Sequence, residues 1–213
     1  MRILIVAPDS DLGNLAELVE AAGDNVPIVL RGTVTGRELL QRLRSERYDV
    51  VHFAGHGTSM ELGLSDGPLS VELLSSAIQE GMHPVLMFFN ACASLPQAAQ
   101  LHGYGVSYTI GWRQEAVPDK AAGAFAVTFY NSLRLNGGDI RRAFDAALDG
   151  LRRHYPETEE PIIINGRMAA LLAEVVELRA SVKNRNSQAF NTGHIISVVA
   201  LIVALASIFL RLG

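Results

Sequence analysis

Two apolar runs of strand length constrain this chain most, because each ends at a turn of small residues that carries a reactive side chain. Asp49–Ala54 leads to His56 between two glycines, and Pro84–Asn90 leads to Cys92 between two alanines. A helical segment separates the runs, so the pattern predicts parallel strands whose carboxyl ends share one edge of a sheet. Ligands bind at that edge in open α/β sheets. An imidazole and a thiol there are the components of a cysteine nucleophile and its base.

The alternation of strand-like and helix-like segments over residues 1–165 predicts an α/β fold with a doubly wound, largely parallel sheet flanked by helices. Strands are predicted at Ile3–Ala7, Val26–Leu30, Asp49–Ala54, Pro84–Asn90, Val106–Gly111 and Pro161–Ile164. Helices are predicted from Leu12 to Ala22, after Thr35, after Ser70, from Pro96 to His102, from an Asp119 cap to Leu135, and from an Asp139 cap to Arg153. A small hairpin is expected within Met60–Ser70, around Asp66-Gly67.

Composition narrows the function classes. The chain has 213 residues, with 18 basic against 22 acidic side chains and a net charge of −4, which does not indicate a nucleic-acid-binding surface. Cys92 is the only cysteine, so an internal disulfide and a cysteine-rich zinc site are both excluded. We expect no metal and no cofactor.

The carboxyl-terminal region differs from the rest. Ile195–Leu210 is a run of 16 uncharged, mostly apolar residues that reaches about the lower limit of a membrane-spanning helix when His194, Arg211 and Leu212 are added. A buried core helix is the alternative. More basic residues precede the run than follow it, which predicts a cytoplasmic amino-terminal domain and a single-pass tail anchor in the inner membrane. The expected organisation is a domain at 1–166, a helix and polar linker at 167–193, and a transmembrane helix at 194–212.

Each candidate residue also has a structural interpretation. His52 and His56 are four apart, but they lie on a strand that runs into glycines, so a helical metal-binding pair does not apply. His52 is interpreted as a partly buried strand residue, and His56 has the alternative of a solvated turn residue. Cys92 has the alternative of a small buried hydrophobe. It precedes the predicted helix at Pro96, whose amino end favours a thiolate.

The sequence HFAGHG at 52–57, followed by FFNACAS at 88–94, resembles the CHAT domain, a caspase-like cysteine peptidase family. The resemblance continues through Gly111-Trp112, Val117, Asp119 and the segment FAVTFYNSL, and covers roughly residues 1–165. His56 and Cys92 are 36 residues apart, a moderately specific spacing for this family.

The resemblance implies that Cys92 is the nucleophile and His56 the general base that also protonates the leaving amine. The backbone N–H groups of Gly57 and Cys92 would form the oxyanion hole. No third catalytic residue is required. The related metacaspases carry an acidic residue two positions before the cysteine, where this chain has Asn90, so specificity for Arg or Lys is in doubt.

Three residues are candidates for substrate binding: Asn90, Trp112 and Asp119. Trp112 has the alternative of a core residue, and Asp119 that of a helix cap. Asp66 and Glu61 in the hairpin are further acidic candidates, with solvated loop positions as their alternative.

The leading hypothesis is a membrane-tethered cysteine endopeptidase that cuts a protein or peptide substrate at the cytoplasmic face. Small CHAT-type proteins of this layout look like effectors of prokaryotic immunity or programmed cell death that a sensor or other partner protein activates. The alternative is a catalytically silent caspase-fold scaffold that oligomerises and clusters its membrane helix. A receiver or nucleotide-binding domain is disfavoured, because no acidic residue ends the third strand and no glycine-rich phosphate loop follows the first.

Overall fold

The computed structural model describes residues 1–8, 15–25, 27–58, 61–81 and 83–166. The predicted linker at 167–193 and the predicted transmembrane helix at 194–212 lie outside the described residues. Within the described part of the chain, every helix is too short or too polar to cross a bilayer.

Eight strands and six helices occupy the described residues. The strands are β1 (Ile3–Ala7), β2 (Ile28–Arg31), β3 (Val50–Ala54), β4 (Glu61–Leu64), β5 (Gly67–Ser70), β6 (Leu86–Asn90), β7 (Tyr108–Gly111) and β8 (Ile162–Asn165). The helices are α1 (Leu15–Ala22), α2 (Gly36–Ser45), α3 (Val71–Glu80), α4 (Leu95–Gly103), α5 (Asp119–Leu135) and α6 (Ile140–His154).

A six-stranded sheet in the order β2-β1-β3-β6-β7-β8 forms the centre of the fold. Every neighbouring pair is parallel except β7 and β8, which are antiparallel. The prediction of a largely parallel sheet flanked by helices is therefore confirmed for the described residues. The antiparallel direction of β8 was not predicted, because a four-residue apolar run at the edge carries no signal of its direction.

Alternation along the strands divides the core between two faces of the sheet. Ile3 and Ile5 on β1 pack with α1, α5 and α6, whereas Leu4 and Val6 on the same strand pack with α2, α3 and α4. All five residues of β3 are buried, as expected for a strand covered by helices on both faces. Helices on both faces leave the ends of the strands as the accessible edges of the sheet.

Three of the four predicted capping side chains are confirmed. The hydroxyl of Thr35 accepts the Glu38 N–H at 3.2 Å, and the carboxylate of Asp139 accepts the Arg142 N–H at 3.0 Å. Ser70 caps α3 in the same way. The prediction that Asp119 caps α5 is wrong: Pro118 occupies the cap position and Asp119 is the first helical residue, with no side-chain cap. The proline ring fixes φ near the helical value and needs no N–H donor at a helix start.

The predicted hairpin is present as β4 and β5, which pair antiparallel from Glu61↔Ser70 to Leu64↔Gly67. It is anchored to the start of α2, where the Gly36 N–H donates to the Asp66 carboxylate at 2.9 Å. The hairpin begins directly after the turn that carries His56, so its position bears on the site described below.

Candidate active site

The register between β3 and β6 brings the two predicted catalytic residues to the same edge of the sheet. The last aligned pair of these strands is Ala54 and Asn90, and His56 and Cys92 each follow two residues later. Adjacent strands lie about 4.8 Å apart, so the two turns start as neighbours. A Cβ placed on Gly57 would lie 3.6 Å from the Ala91 Cβ, which shows that the turns are in contact.

Both side chains are open to solvent to some degree. His56 is exposed, and Cys92 is half-buried as a free thiol. The sulfur therefore isn't sealed in the apolar interior. The backbone N–H of Val117, in the loop before α5, donates to the Cys92 Sγ at 3.4 Å. This contact joins the sulfur to the loop before α5.

A buried serine holds the Cys92 turn. The fully buried Ser94 hydroxyl donates to the Ala91 carbonyl at 2.7 Å and accepts the Trp112 N–H at 3.1 Å. Ala93 has φ of 49°, a left-handed conformation that non-glycine residues rarely adopt. Its N–H donates to the Gln114 carbonyl at 2.8 Å. The surroundings thus fix a strained backbone beside the thiol, a pattern that is common at functional sites.

The His56 turn is held by the hairpin. The His56 carbonyl accepts the Gly63 N–H at 2.9 Å, and the Thr58 N–H donates to the Glu61 carbonyl at 2.9 Å. These bonds flank an antiparallel bridge between Gly57 and Leu62. The hairpin therefore extends back to the histidine and fixes the backbone on either side of Gly57.

The predicted oxyanion-hole donors lie on the two contacting turns. Among the described residues, neither the Gly57 N–H nor the Cys92 N–H is used in a turn, cap or loop hydrogen bond. Both groups remain available as donors at the edge where the thiol and imidazole lie, so the arrangement is compatible with stabilising an oxyanion.

Two of the predicted substrate-binding residues instead bond to each other. Trp112 is fully buried, and its ring packs edge-on against Phe125 with ring centroids 5.7 Å apart. Its indole N–H donates to the Asn90 side-chain oxygen at 3.0 Å, while the Asn90 amide donates to the Ala122 carbonyl at 3.1 Å. The structure thus places the Trp112 ring in the core, which is the alternative interpretation of this residue. The oxygen and the nitrogen of the Asn90 side chain both form hydrogen bonds within the domain.

The acidic candidates lie apart from this core. Asp119 is exposed at the start of α5, after the loop in which Val117 contacts the sulfur. Asp66 accepts the Gly36 N–H, and Glu61 is exposed on β4. Of the three, Asp119 is the one closest along the chain to a residue that contacts Cys92.

His52 lies in the core and takes no part in this site. Its ring is fully buried and stacks on Phe88, with centroids 4.3 Å apart and planes 8° from parallel. Neither ring nitrogen has a hydrogen-bond partner within the described residues. Burial lowers the pKa of His52 to about 3, so the imidazole is neutral. The described residues contain no cluster of three or more His, Cys, Asp or Glu side chains suited to a metal.

Sequence reasoning missed three residues of the site: Ser94, Gln97 and Val117. Val117 acts through its backbone, which no side-chain pattern reveals. Gln97 is fully buried on the helix after the cysteine, but only the structure reveals that burial, since glutamine is mostly a surface residue. Its contacts are described under the further inference.

A comparison with known protein families shows to which family the chain belongs. Residues 7–162 match the model of the CHAT domain. The chain belongs to the CHAT-domain family. The match runs from the last residue of β1 to the first residue of β8 and includes both turns and α5–α6 of this CHAT domain. No curated protein matches the chain in sequence.

Two solved structures resemble the CHAT domain. One is a secreted C11 cysteine protease from Bacteroides thetaiotaomicron, solved with an irreversible peptide inhibitor, with a TM-score of 0.57 and 15% identity over 81% of this chain and 68% of that chain. The other is the Arg-specific cysteine proteinase gingipain R, with a TM-score of 0.56 and 13% identity over 77% of this chain and 46% of that chain. At these identities the likeness shows a shared caspase-like fold.

Proposed function

We propose that this CHAT protein is a cysteine endopeptidase in which Cys92 attacks the scissile carbonyl and His56 acts as general base and acid. The register of β3 with β6 carries the proposal, because it sets His56 and Cys92 each two residues beyond the aligned pair Ala54 and Asn90. The exposure of His56 and the half-burial of Cys92 support it, since both side chains are within reach of a peptide.

Acylation begins when His56 takes the proton of the Cys92 thiol and the sulfur attacks the carbonyl carbon. A C–S bond forms, and the carbonyl π electrons move to oxygen. The N–H groups of Gly57 and Cys92 donate to the resulting oxyanion, which is usually a large electrostatic contribution to catalysis. The tetrahedral intermediate collapses, the C–N bond breaks, and the amine leaves with the proton held by His56.

Deacylation reverses these roles. His56 takes a proton from water, the oxygen attacks the thioester carbon, and the same backbone donors hold the second oxyanion. The C–S bond then breaks, the thiolate leaves, and the proton on His56 returns to the sulfur. The carboxylic acid product departs as the ionised acid, and the enzyme is restored.

Substrate preference follows from the neutral side chain at position 90. Asn90 brings no negative charge, and its amide already bonds to Trp112 and Ala122. We therefore propose a peptidase without the Arg or Lys preference that an acidic residue there would give. Asp119 is kept as the candidate for contact with substrate, since it is exposed after the loop that reaches the sulfur.

The cellular role extends the proposal to the carboxyl-terminal segment. Ile195–Leu210 is uncharged and long enough, with its flanking residues, to anchor the protein in the inner membrane with the CHAT domain in the cytoplasm. We propose that an activating partner protein or sensor switches on cleavage of a protein substrate in prokaryotic immunity or programmed cell death. The proposal is compatible with a homo-oligomer.

The test of the peptidase uses the full chain in detergent with and without candidate activators. The protein is mixed with a proteome, and new amino termini are identified by mass spectrometry. We expect cleavage that disappears in Cys92→Ala and in His56→Ala, whereas the matched surface variant His154→Ala cleaves like the parent. Cleavage that persists in Cys92→Ala would remove the proposed mechanism.

The same variants test the scaffold alternative in cells. A peptidase effector loses its toxicity in Cys92→Ala, because the fold and membrane segment are unchanged but the nucleophile is gone. A scaffold keeps its toxicity in Cys92→Ala and loses it when Ile195–Leu210 is deleted. The second outcome would overturn the proposed peptidase.

A further inference from the structure

Gln97 occupies an unusual place on α4. It is three residues into the helix, and its side chain has no solvent exposure, although glutamine is mostly a surface residue. Burying an amide is costly unless it is hydrogen-bonded, so the contacts of this side chain indicate what retains it there.

Both amide hydrogens of Gln97 point at the turn after His56. The Gln97 Nε2 donates to the carbonyl of Thr58 and, at 2.9 Å, to the carbonyl of Glu61. The Thr58 carbonyl follows the His56 turn, and the Glu61 carbonyl belongs to the first residue of β4. A Cβ placed on Gly57 would lie 3.8 Å from the same nitrogen, so the amide also packs against the proposed oxyanion donor.

The amide is oriented by these bonds alone. The Gln97 Oε1 is buried and has no hydrogen-bond partner among the described residues. The two hydrogen bonds from Nε2 stabilise this orientation more than the unpaired Oε1 destabilises it. In the flipped amide, Oε1 would face the two carbonyl oxygens. The site thus tolerates a buried, unsatisfied acceptor, which is a cost expected where position matters more than stability.

We infer that Gln97 is a positioning residue that fixes His56 and Gly57 against Cys92, an inference that rests on the proposed peptidase. Gln97 lies on α4, the helix that follows Cys92, and bonds to the backbone that follows His56. It therefore connects the two halves of the site, whose catalytic residues His56 and Cys92 are 36 positions apart in the sequence. Without the two Gln97 donors, the backbone at Thr58 and Glu61 loses these hydrogen bonds to α4. The imidazole then shifts relative to the sulfur.

The test measures the alkylation of Cys92 by iodoacetamide in the full-length protein in detergent at neutral pH. Cys92 is the only cysteine, so the rate reports one thiol and needs no substrate or activator. Gln97→Met keeps the length of the side chain and removes both donors. We expect it to slow alkylation by about 10-fold, since displacing a reacting group by about 1 Å can cost up to about 100-fold in rate.

Gln100→Met is the matched control. Gln100 lies three residues after Gln97 on the same helix. Its amide donates to the Glu72 carboxylate on α3 at 3.3 Å and does not bond to the His56 turn. We expect an alkylation rate within twofold of the parent. Far-UV circular dichroism and the thermal midpoint establish that each variant is folded before its rate is compared.

A double-mutant cycle separates positioning from general destabilisation. If Gln97 acts through His56, Gln97→Met has little effect on alkylation in a His56→Ala background. An equal loss in both backgrounds, or no loss in the parent, would overturn the positioning role while His56→Ala alone still slows alkylation. If His56→Ala leaves the rate unchanged, it is the proposed catalytic pair that fails. Partial recovery in Gln97→Lys, which restores donors at similar reach, would support positioning over packing.

Discussion

Trp112 donates its indole N–H to the Asn90 side-chain oxygen at 3.0 Å, and the other end of that amide bonds to the Ala122 carbonyl at 3.1 Å. One residue thus joins β6, the segment after β7 and the first turns of α5. The position two residues before the thiol is therefore a structural link in this chain.

Asn90→Asp should destabilise the protein without creating a preference for basic residues. The carboxylate can still accept from Trp112, but it cannot donate to the Ala122 carbonyl and sets oxygen against oxygen. Because Asn90 is half-buried, we expect a loss of about 1–2 kcal/mol in the free energy of unfolding, toward the low end of the cost of an unsatisfied buried group. Urea denaturation gives this energy, and peptide-library cleavage gives the preference. The exposed Asn136→Asp should cost less than about 1 kcal/mol; new cleavage after Arg or Lys in Asn90→Asp would contradict the assignment.

Gly57→Ala should lower both the rate of cleavage and the stability of the protein. The added Cβ would lie 3.1 Å from the Glu61 carbonyl oxygen, which is tighter than ordinary contact, and it faces Ala91 across the site. We expect the turn to shift, with a stability cost of about 1–3 kcal/mol for overpacking and at least about a 10-fold loss in the rate of Cys92 alkylation or peptide cleavage. Gly103→Ala on α4 is the control, because no atom lies within 4 Å of its added Cβ. Equal rates in the two variants would show that the Gly57 contact is not limiting.

Ser94→Ala should both destabilise the fold and loosen the nucleophile turn. The buried hydroxyl donates to the Ala91 carbonyl and accepts from the Trp112 N–H, and its removal leaves both groups without that partner. Each unsatisfied buried group costs about 1–3 kcal/mol. Thermal and urea denaturation measure the loss, for which Ser107→Ala at an exposed position is the control with an expected change of less than about 0.5 kcal/mol. A Ser94→Ala protein as stable as the parent would mean that the turn holds itself without this hydroxyl.

His52 should make the stability of the domain fall in acid. Burial lowers the pKa of His52 to about 3, whereas an unfolded histidine has a pKa of about 6.5, so between these values the unfolded state binds the extra proton. Stability is therefore fully present above about pH 6.5 and is lost, by about 1.4 kcal/mol per pH unit, as the pH falls toward 3.

His52→Phe is the variant that tests this source of acid sensitivity. It keeps an aromatic ring stacked on Phe88 and removes the titrating group, so its unfolding free energy should depend less on pH between about 6.5 and 4. Tyr130→Phe removes another buried polar atom that has no hydrogen-bond partner among the described residues. Its hydroxyl does not ionise in this range, so the variant should leave the pH dependence unchanged. Parallel pH curves for the parent and His52→Phe would refute the contribution.

The sequence predicts those features that depend on apolar patterning and on local turn chemistry. β1 and the caps at Thr35 and Asp139 follow from local preferences, and the edge that carries His56 and Cys92 follows from two parallel strands. Local chemistry also explains the error at Asp119, because a proline and an aspartate both favour a helix start and only the backbone decides between them.

What could not be predicted depends on contacts between distant segments. Whether Trp112 faces a groove or the core is decided by the packing of α5 over β7, which no local pattern fixes. The bonds from Gln97 to the His56 turn likewise join residues 36 and 39 positions apart. The sequence did not single out Gln97, because its partners are two backbone carbonyls, which have no residue signature.

The antiparallel course of β8 has a practical consequence for work on this protein. Asn165 aligns with Tyr108 at the amino end of β7, whereas Cys92 follows the carboxyl end of β6. The last described residue of the sheet thus lies at the rim opposite the thiol. A reporter group attached beside Asn165 would therefore lie at the edge of the sheet opposite the nucleophile.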